Sequence, residues 1–360
     1  MKIIHLVSNK VWGGGEQYVS DICRHLKADG QDVQVVHRPI PALREKLEQL
    51  DIPLYEMSLG GISDIGSAVK LANLIRSGSY ILHVHNFKDG FTAALARKMA
   101  GNRDVRIIMT RHLVKQGKRS FPYRWLYRQF DRIIFVSELA RNRFMDGMPQ
   151  YLTDKGTVLY NSITTPDIVK DSNLRQELGI PSGCTLLMYH GRIEREKGIE
   201  ILIDAFKSVQ TDNLHLVLLG TGSREFSTLL MDKIRNAGLD DRVHFAGFRN
   251  DVIACIRESD MGVLPSIVQE ACPLSCMEYM SQGKCVITTD NGGQAEYISN
   301  RKTGILVPPG DATALSDAIL WAVTSGQAEQ IGREAAIWFK ANLSYPVFYR
   351  QIKQIYGLIQ

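Results

Sequence analysis

Glu270 and Glu278 lie eight residues apart, and Pro273 between them suits the first turn of a helix, where a missing N–H costs nothing. That spacing puts Glu270 in a loop at the helix start and Glu278 about one turn inside it. Ionised carboxylates accept two hydrogen bonds side by side, which matches neighbouring hydroxyls on a ribose or another sugar. Free amides at the helix start favour an anionic phosphate. Read in isolation, Glu278 is equally a solvated helix residue and Glu270 equally a capping acid. A second group argues for chemistry. Residues 189–198 read Tyr-His-Gly-Arg-Ile-Glu-Arg-Glu-Lys-Gly, following a strand-like run and opening a helix. Arg192 and Lys197 therefore stand in a loop where a diphosphate would lie. Arginine holds phosphate through two parallel bonds and lysine acts as a point charge; both offset the charge that builds on a departing diphosphate.

These loops need a scaffold that presents them together. Strands are expected at Lys2–Ser8, Asp32–His37, Ile81–His85, Val105–Thr110 and Arg132–Ser137. A helix, Glu16–Asp29, follows the glycines Gly13, Gly14 and Gly15, and Gly30 ends it. The pattern restarts with strands at Thr185–His190, His215–Leu219, Arg242–Phe245, Met261–Pro265 and Cys285–Thr288. Helices at Ile199–Val209, Glu225–Ala237, Leu274–Gln282 and Ala312–Thr324 stand between them. Strand alternating with helix predicts an α/β chain with a parallel sheet covered on both faces, twice over. A length of 360 residues accommodates two such domains. The polar connection Asn161–Asp171, containing Pro166, is the expected boundary. It separates residues 1–166 from residues 167–343; the return of residues 344–360 to the first domain is what the resemblance described next implies. Open α/β sheets bind ligands at the carboxyl ends of their strands, so a cleft between the two halves is the expected site. His83 and His85 share a strand and are read as pointing to opposite faces. At most one, His85, then faces the cleft, and His83 is structural.

On these residues the chain resembles glycosyltransferase family 4, a large retaining group with the GT-B fold of two Rossmann-like domains facing across a cleft. The matching stretches run in order: Gly13-Gly14-Gly15-Glu16; Gly191-Arg192 with Lys197-Gly198; Leu219-Gly220-Thr221-Gly222-Ser223; Phe245-Ala246-Gly247-Phe248; Pro265-Ser266 with Glu270 and Glu278; and Gly292-Gly293 with Glu296 and Gly304. The resemblance implies a nucleotide-diphosphate sugar of the uridine or guanosine type as donor. It implies a glycan or lipid-linked acceptor, as in cell-surface polysaccharide or lipopolysaccharide synthesis, bound by the N-terminal domain. By position it assigns Arg192 and Lys197 to the diphosphate, Glu270 to the donor sugar and Glu278 to the ribose. Gly14, Gly15, Glu16, Gly220 and Phe248 would border the donor, and His112 would lie near its sugar or phosphate. His85, Arg111 and Lys115 fall on the acceptor side. Asn161 matches the family's linker motif, whereas Ser162 replaces the glycine that follows it. The reaction implied retains configuration and needs no metal and no cofactor: the acceptor hydroxyl attacks on the leaving-group face and the departing phosphate takes its proton. A nucleotide-sugar epimerase of the same fold and a non-catalytic sugar-binding protein are the rival readings. A dinucleotide oxidoreductase fits less well, because Gly13–Gly15 lacks the spaced G-x-G-x-x-G pattern.

Composition narrows the remaining classes. The net charge of +5 is uneven: residues 1–168 carry 24 Lys and Arg against 16 Asp and Glu, the remainder 19 against 22. Residues 103–143 alone hold eleven basic side chains against three acidic ones, interleaved with Phe121, Tyr123, Trp125, Tyr127 and Phe130. Basic and aromatic residues on an amphipathic stretch predict a helix lying on an anionic membrane surface. No nucleic-acid module is recognisable, so no nucleic acid is expected as partner. The six cysteines lack zinc-like spacing and are expected buried and reduced. The short apolar start and the lack of a long apolar run lead to an expectation of a cytoplasmic protein, at most peripheral on the membrane.

Overall fold

The computed structural model describes residues 1–9, 12–164, 171–209, 211 and 213–359. Among these residues, thirteen strands form two sheets. The first holds β1 (Lys2–Val7), β2 (Asp32–His37), β3 (Leu54–Glu56), β4 (Tyr80–Val84), β5 (Val105–Arg111), β6 (Arg132–Phe135) and β7 (Gly156–Val158). Its order is β3-β2-β1-β4-β5-β6-β7, and every pairing is parallel. The second holds β8 (Thr185–His190), β9 (Leu214–Leu219), β10 (Val243–Gly247), β11 (Met261–Leu264), β12 (Cys285–Thr289) and β13 (Ile305–Val307). Its order, β10-β9-β8-β11-β12-β13, repeats the same winding, again all parallel. Each sheet reverses its winding once, between β1 and β4 and between β8 and β11. At such a reversal neighbouring loops diverge and leave a crevice beyond the strand ends.

The central strands are apolar along their whole length because helices cover both faces. Leu214–Leu219 (Leu-His-Leu-Val-Leu-Leu) is buried throughout, as is Tyr80–Val84. Each sheet has its own core: one joins Leu187, Leu216 and Ile287 to Leu202, Phe206 and Ile319, the other Ile4, Leu82 and Ile107 to Leu71, Ala93 and Leu126. Helix starts are capped locally. Asn86, Ser137, Ser223 and Asp311 each accept a hydrogen bond from an amide three residues on.

The chain divides into two compact units, Met1–Asn161 with Phe348–Gln360, and Ser162–Val347. Pro166 and most of the predicted connection around it lie outside the described residues. From Phe348 on, the last helix, Tyr345–Tyr356, completes the first unit: Ile352 and Tyr356 are fully buried, and Asp29 accepts hydrogen bonds from Tyr349 Oη and Lys353 Nζ, both at 3.0 Å. Among the described residues no helix is long and apolar enough to cross a membrane.

Candidate active site

In the second unit, the loops leaving β8 and β11 are clasped together. Ile267 N–H donates to Glu196 O at 3.0 Å, and the loop after β12 joins the β11 loop where Gly293 N–H donates to Glu270 O at 2.8 Å. Gly198 makes the clasp: its φ of +72° is left-handed, and a Cβ there would stand 2.0 Å from Pro265 O. Gly220, with φ +140°, allows a similar approach at the neighbouring strand, where a Cβ would stand 1.9 Å from Gly191 O. Within this frame Lys197 Nζ forms an ion pair with Glu270 Oε1, which also accepts from Ser266 Oγ at 2.8 Å. Both members are only partly exposed, 17% and 20%. Arg192 differs: it is 65% exposed and pairs with Glu194 at 2.6 Å and Glu196 at 3.6 Å. Phe248 stands exposed just beyond β10.

Glu278 sits inside the helix Leu274–Ser281, as the spacing predicts, while Pro273 is its cap residue, one position earlier than expected. Its carboxylate meets His190, the last residue of β8, at 2.5 Å (Oε2 to Nε2). The other ring nitrogen of His190 faces Tyr279 Oη at 3.0 Å, and Tyr279 donates to Met188 O at 2.6 Å. With the Tyr279 proton committed to a carbonyl, the His190 ring is held between the Glu278 carboxylate and the Tyr279 hydroxyl oxygen. The sequence reading missed His190 as a partner. The only signal for it was its place at the end of a strand immediately before Gly191-Arg192.

In the first unit, Gly14 is the first residue of the helix Gly14–Ala28, which begins two residues earlier than expected. Gly14 is exposed and Gly15 half-buried. Glu16 is buried, one oxygen accepting from Gly13 N–H at 2.9 Å and the other from Asn9 Nδ2, so its carboxylate caps the helix. The expectation for His83 and His85 fails. Residues two apart on a strand share a face, and the two rings lie 4.5 Å apart on the same side of β4. His5 from β1 and His112 beyond β5 join them, with centroids 5.5 and 5.6 Å from His85. Burial keeps all four neutral, with His5 lowered to about 3, His112 to about 4, and His83 and His85 well below their ordinary value. His5, His83 and His85 form a three-histidine cluster that sequence spacing does not show, because His5 lies on β1 and the other two at the end of β4, far apart in the chain.

The basic segment also departs from its reading. Residues 103–143 form no single surface helix: they make up β5, β6, the helix Phe121–Gln129 and part of Glu138–Met145. The aromatics pack inward. Tyr127 and Phe130 are buried, Trp125 stacks on Phe91 and Tyr123 lies edge-on to Phe87; Phe121 alone of the five is largely exposed, at 82%. Arg111 is buried rather than on the surface, its guanidinium 4.6 Å from the Phe87 ring centroid. Lys115 is exposed.

The family model described as Glycosyltransferase Family 4 matches residues 12–165, and the one described as Glycosyl transferases group 1 matches residues 170–338. The N-acetyl-alpha-D-glucosaminyl L-malate synthase of Bacillus anthracis is 27% identical over 323 residues, 85% of this chain and 83% of that one. The lipopolysaccharide 1,2-N-acetylglucosaminetransferase of Salmonella typhimurium is 31% identical over 173 residues, and the match spans less than half of either chain, 45% of each. Among solved structures, Anabaena HepE in complex with UDP superposes with a TM-score of 0.87 over 100% of both chains at 21% identity. Two matched regions in this order, on two parallel sheets of the same winding, establish that the chain is a glycosyltransferase of family 4 with the GT-B fold.

Proposed function

We propose that the protein transfers a sugar from a nucleotide-diphosphate donor, with retention of configuration, to a glycan or lipid-linked acceptor in polysaccharide or lipopolysaccharide synthesis. The observation that carries this is the Lys197–Glu270 pair on the loops leaving β8 and β11, at the switch point of the second sheet, with Glu278 on the helix that follows. Lys197 and Arg192 hold the diphosphate, whose oxygens take the place that the Glu270 and Glu194 carboxylates occupy beside these cations. Glu270 accepts from hydroxyls of the transferred sugar, Glu278 from the ribose, and exposed Phe248 and Gly220 border the nucleotide. Gly14, Gly15 and His112 of the first unit serve the phosphate and the sugar, while His85 and Arg111 support them and Lys115 stands on the acceptor side. As the bond from the anomeric carbon to the phosphate oxygen breaks, its electron pair goes to that oxygen. The acceptor hydroxyl bonds the carbon from the same face and gives its proton to the phosphate. Names of relatives support a glycan acceptor, since one acts in lipopolysaccharide synthesis and another in amylovoran synthesis. Membrane docking through residues 103–143 retains as support only the exposed basic side chains and Phe121.

The test is calorimetric titration with UDP, GDP, ADP and their sugar conjugates. One base binds preferentially, and Glu278→Ala weakens it at least about tenfold, as expected when charge-assisted hydrogen bonds are lost. A folded protein that binds none of them overturns the reading.

A further inference from the structure

Seven side chains of the first unit are joined end to end by hydrogen bonds. Tyr18 Oη lies 3.4 Å from Thr110 Oγ1, which lies 2.7 Å from His83 Nε2. His83 Nδ1 lies 2.6 Å from Tyr356 Oη, and that hydroxyl lies 3.4 Å from His5 Nε2. His5 Nδ1 then meets His85 Nε2 at 3.2 Å, and His85 Nδ1 meets His112 Nε2 at 3.4 Å. The series ends at His112 Nδ1, which has no hydrogen-bond partner among the described residues. The imidazoles are neutral, so each carries one proton and can donate from one nitrogen only. In such a series a proton given at one contact leaves the receiving group to donate from its other side.

Its direction follows from the far end. Tyr18 is buried, and among the described residues Thr110 Oγ1 is its one hydrogen-bond partner. If the series ran inward, Thr110 would donate to Tyr18 and the tyrosine proton would have no acceptor, a buried unsatisfied donor. If it runs outward, Tyr18 donates to Thr110, Thr110 to His83, His83 to Tyr356, Tyr356 to His5, His5 to His85 and His85 to His112, with every proton used. We infer that this chain holds His112 with its proton on Nδ1, presenting a fixed hydrogen-bond donor for an oxygen of the bound donor's phosphate or sugar. Tyr18, Thr110, His83, Tyr356, His5 and His85 are thereby positioning residues for His112. The inference rests on the proposed role of His112, but the proton order itself does not.

Outward order demands the same tautomer, Nδ1–H, at all four histidines, whereas free neutral histidine favours Nε2–H. Two-bond 1H–15N spectra of 15N-histidine-labelled protein, without ligand and with UDP, read this directly. All four Nδ1–H is the expected result, and Nε2–H at His5, His85 or His112 in the wild type overturns the inference. In Tyr18→Phe the ring contacts to His112 and Phe348 remain (5.0 and 5.5 Å), while the terminal donor is gone. Mixed tautomers are then expected, with kcat for the donor selected by calorimetry falling about tenfold and its KM changing little. Altered tautomers with unchanged turnover overturn the positioning role, while nucleotide binding in the panel still upholds the proposed function. Conversely, a protein that binds no nucleotide yet shows four Nδ1–H histidines removes the proposed function and leaves the proton order standing.

Discussion

Lys197 and Glu270 form an ion pair, which makes Glu270 a competitor for the cation a diphosphate needs. Glu270→Gln removes that competitor and a negative charge beside the phosphates. UDP is therefore expected to bind roughly three- to tenfold more tightly, from about 1 kcal/mol of relieved repulsion. Turnover falls instead, because the sugar loses its charged acceptor. Weaker UDP binding in calorimetry would count against this use of Lys197. At this scale the spacing of Glu270 and Glu278 and the Arg192–Lys197 loop were legible because they lie within single local stretches. His190 was not, since a lone histidine at a strand end carries no periodic signal. His83 of β4 and His85 just beyond it were misread through the face rule itself, and their partners His5 and Tyr356 could not be paired with them without the fold, being 78 and 273 residues away from His83. Arg192 was legible from its motif, whereas its pairing with Glu194 and Glu196 of the same motif was not, since spacing alone does not say which carboxylates it meets.

Elements position these groups through close backbone approach. At Gly198 both the left-handed φ of +72° and the Pro265 carbonyl forbid a side chain. Gly238 has nearly the same φ, +68°, with nothing within 4 Å of a Cβ. Gly238→Ala is expected to cost about 1 kcal/mol, the conformational penalty alone. Gly198→Ala is expected to cost roughly 2–4 kcal/mol, because the loops of β8 and β11 must separate, and to weaken UDP binding as well. Urea melts of both variants measure this, and equal costs would refute the clasp. The long strands were legible to within a residue or two, since buried runs such as Thr185–His190 have no alternative reading. β3, β7 and β13 were not, being three residues each, too short for any periodicity. The basic helix failed for a related reason: interleaved aromatics fix amphipathicity but do not say whether the apolar side faces a bilayer or its own sheet.

For the whole molecule, burial of titratable groups ties stability to pH. The four histidines of the first unit have folded values lowered far below 6.5, so their contribution is complete above that pH and is lost as pH falls toward 4. Asp89, buried and raised to about 8, acts in the opposite sense: its contribution is complete below its unfolded value and lost as pH rises through 8. Below pH 6.5 up to four imidazoles outweigh one carboxyl, so the melting temperature should fall steeply on acidification. Asp89→Asn should raise stability by roughly 1–3 kcal/mol at pH 8 and by little at pH 4. Calorimetric melts across this range check both signs, and a melting temperature that climbs from pH 6.5 to 4 would contradict the buried neutral histidines. The two-sheet architecture was legible because each half restarts the same alternation. The alternation does not carry the discontinuity of the first unit, which came from the family resemblance: that unit closes around Tyr356 only after the whole of Ser162–Val347 has intervened. On a translating ribosome, then, the first sheet emerges first yet is finished last. Its histidine-bearing face must wait, hydrated and unclosed, while an entire second core is synthesised, which makes the nascent N-terminal half the stage most in need of a chaperone.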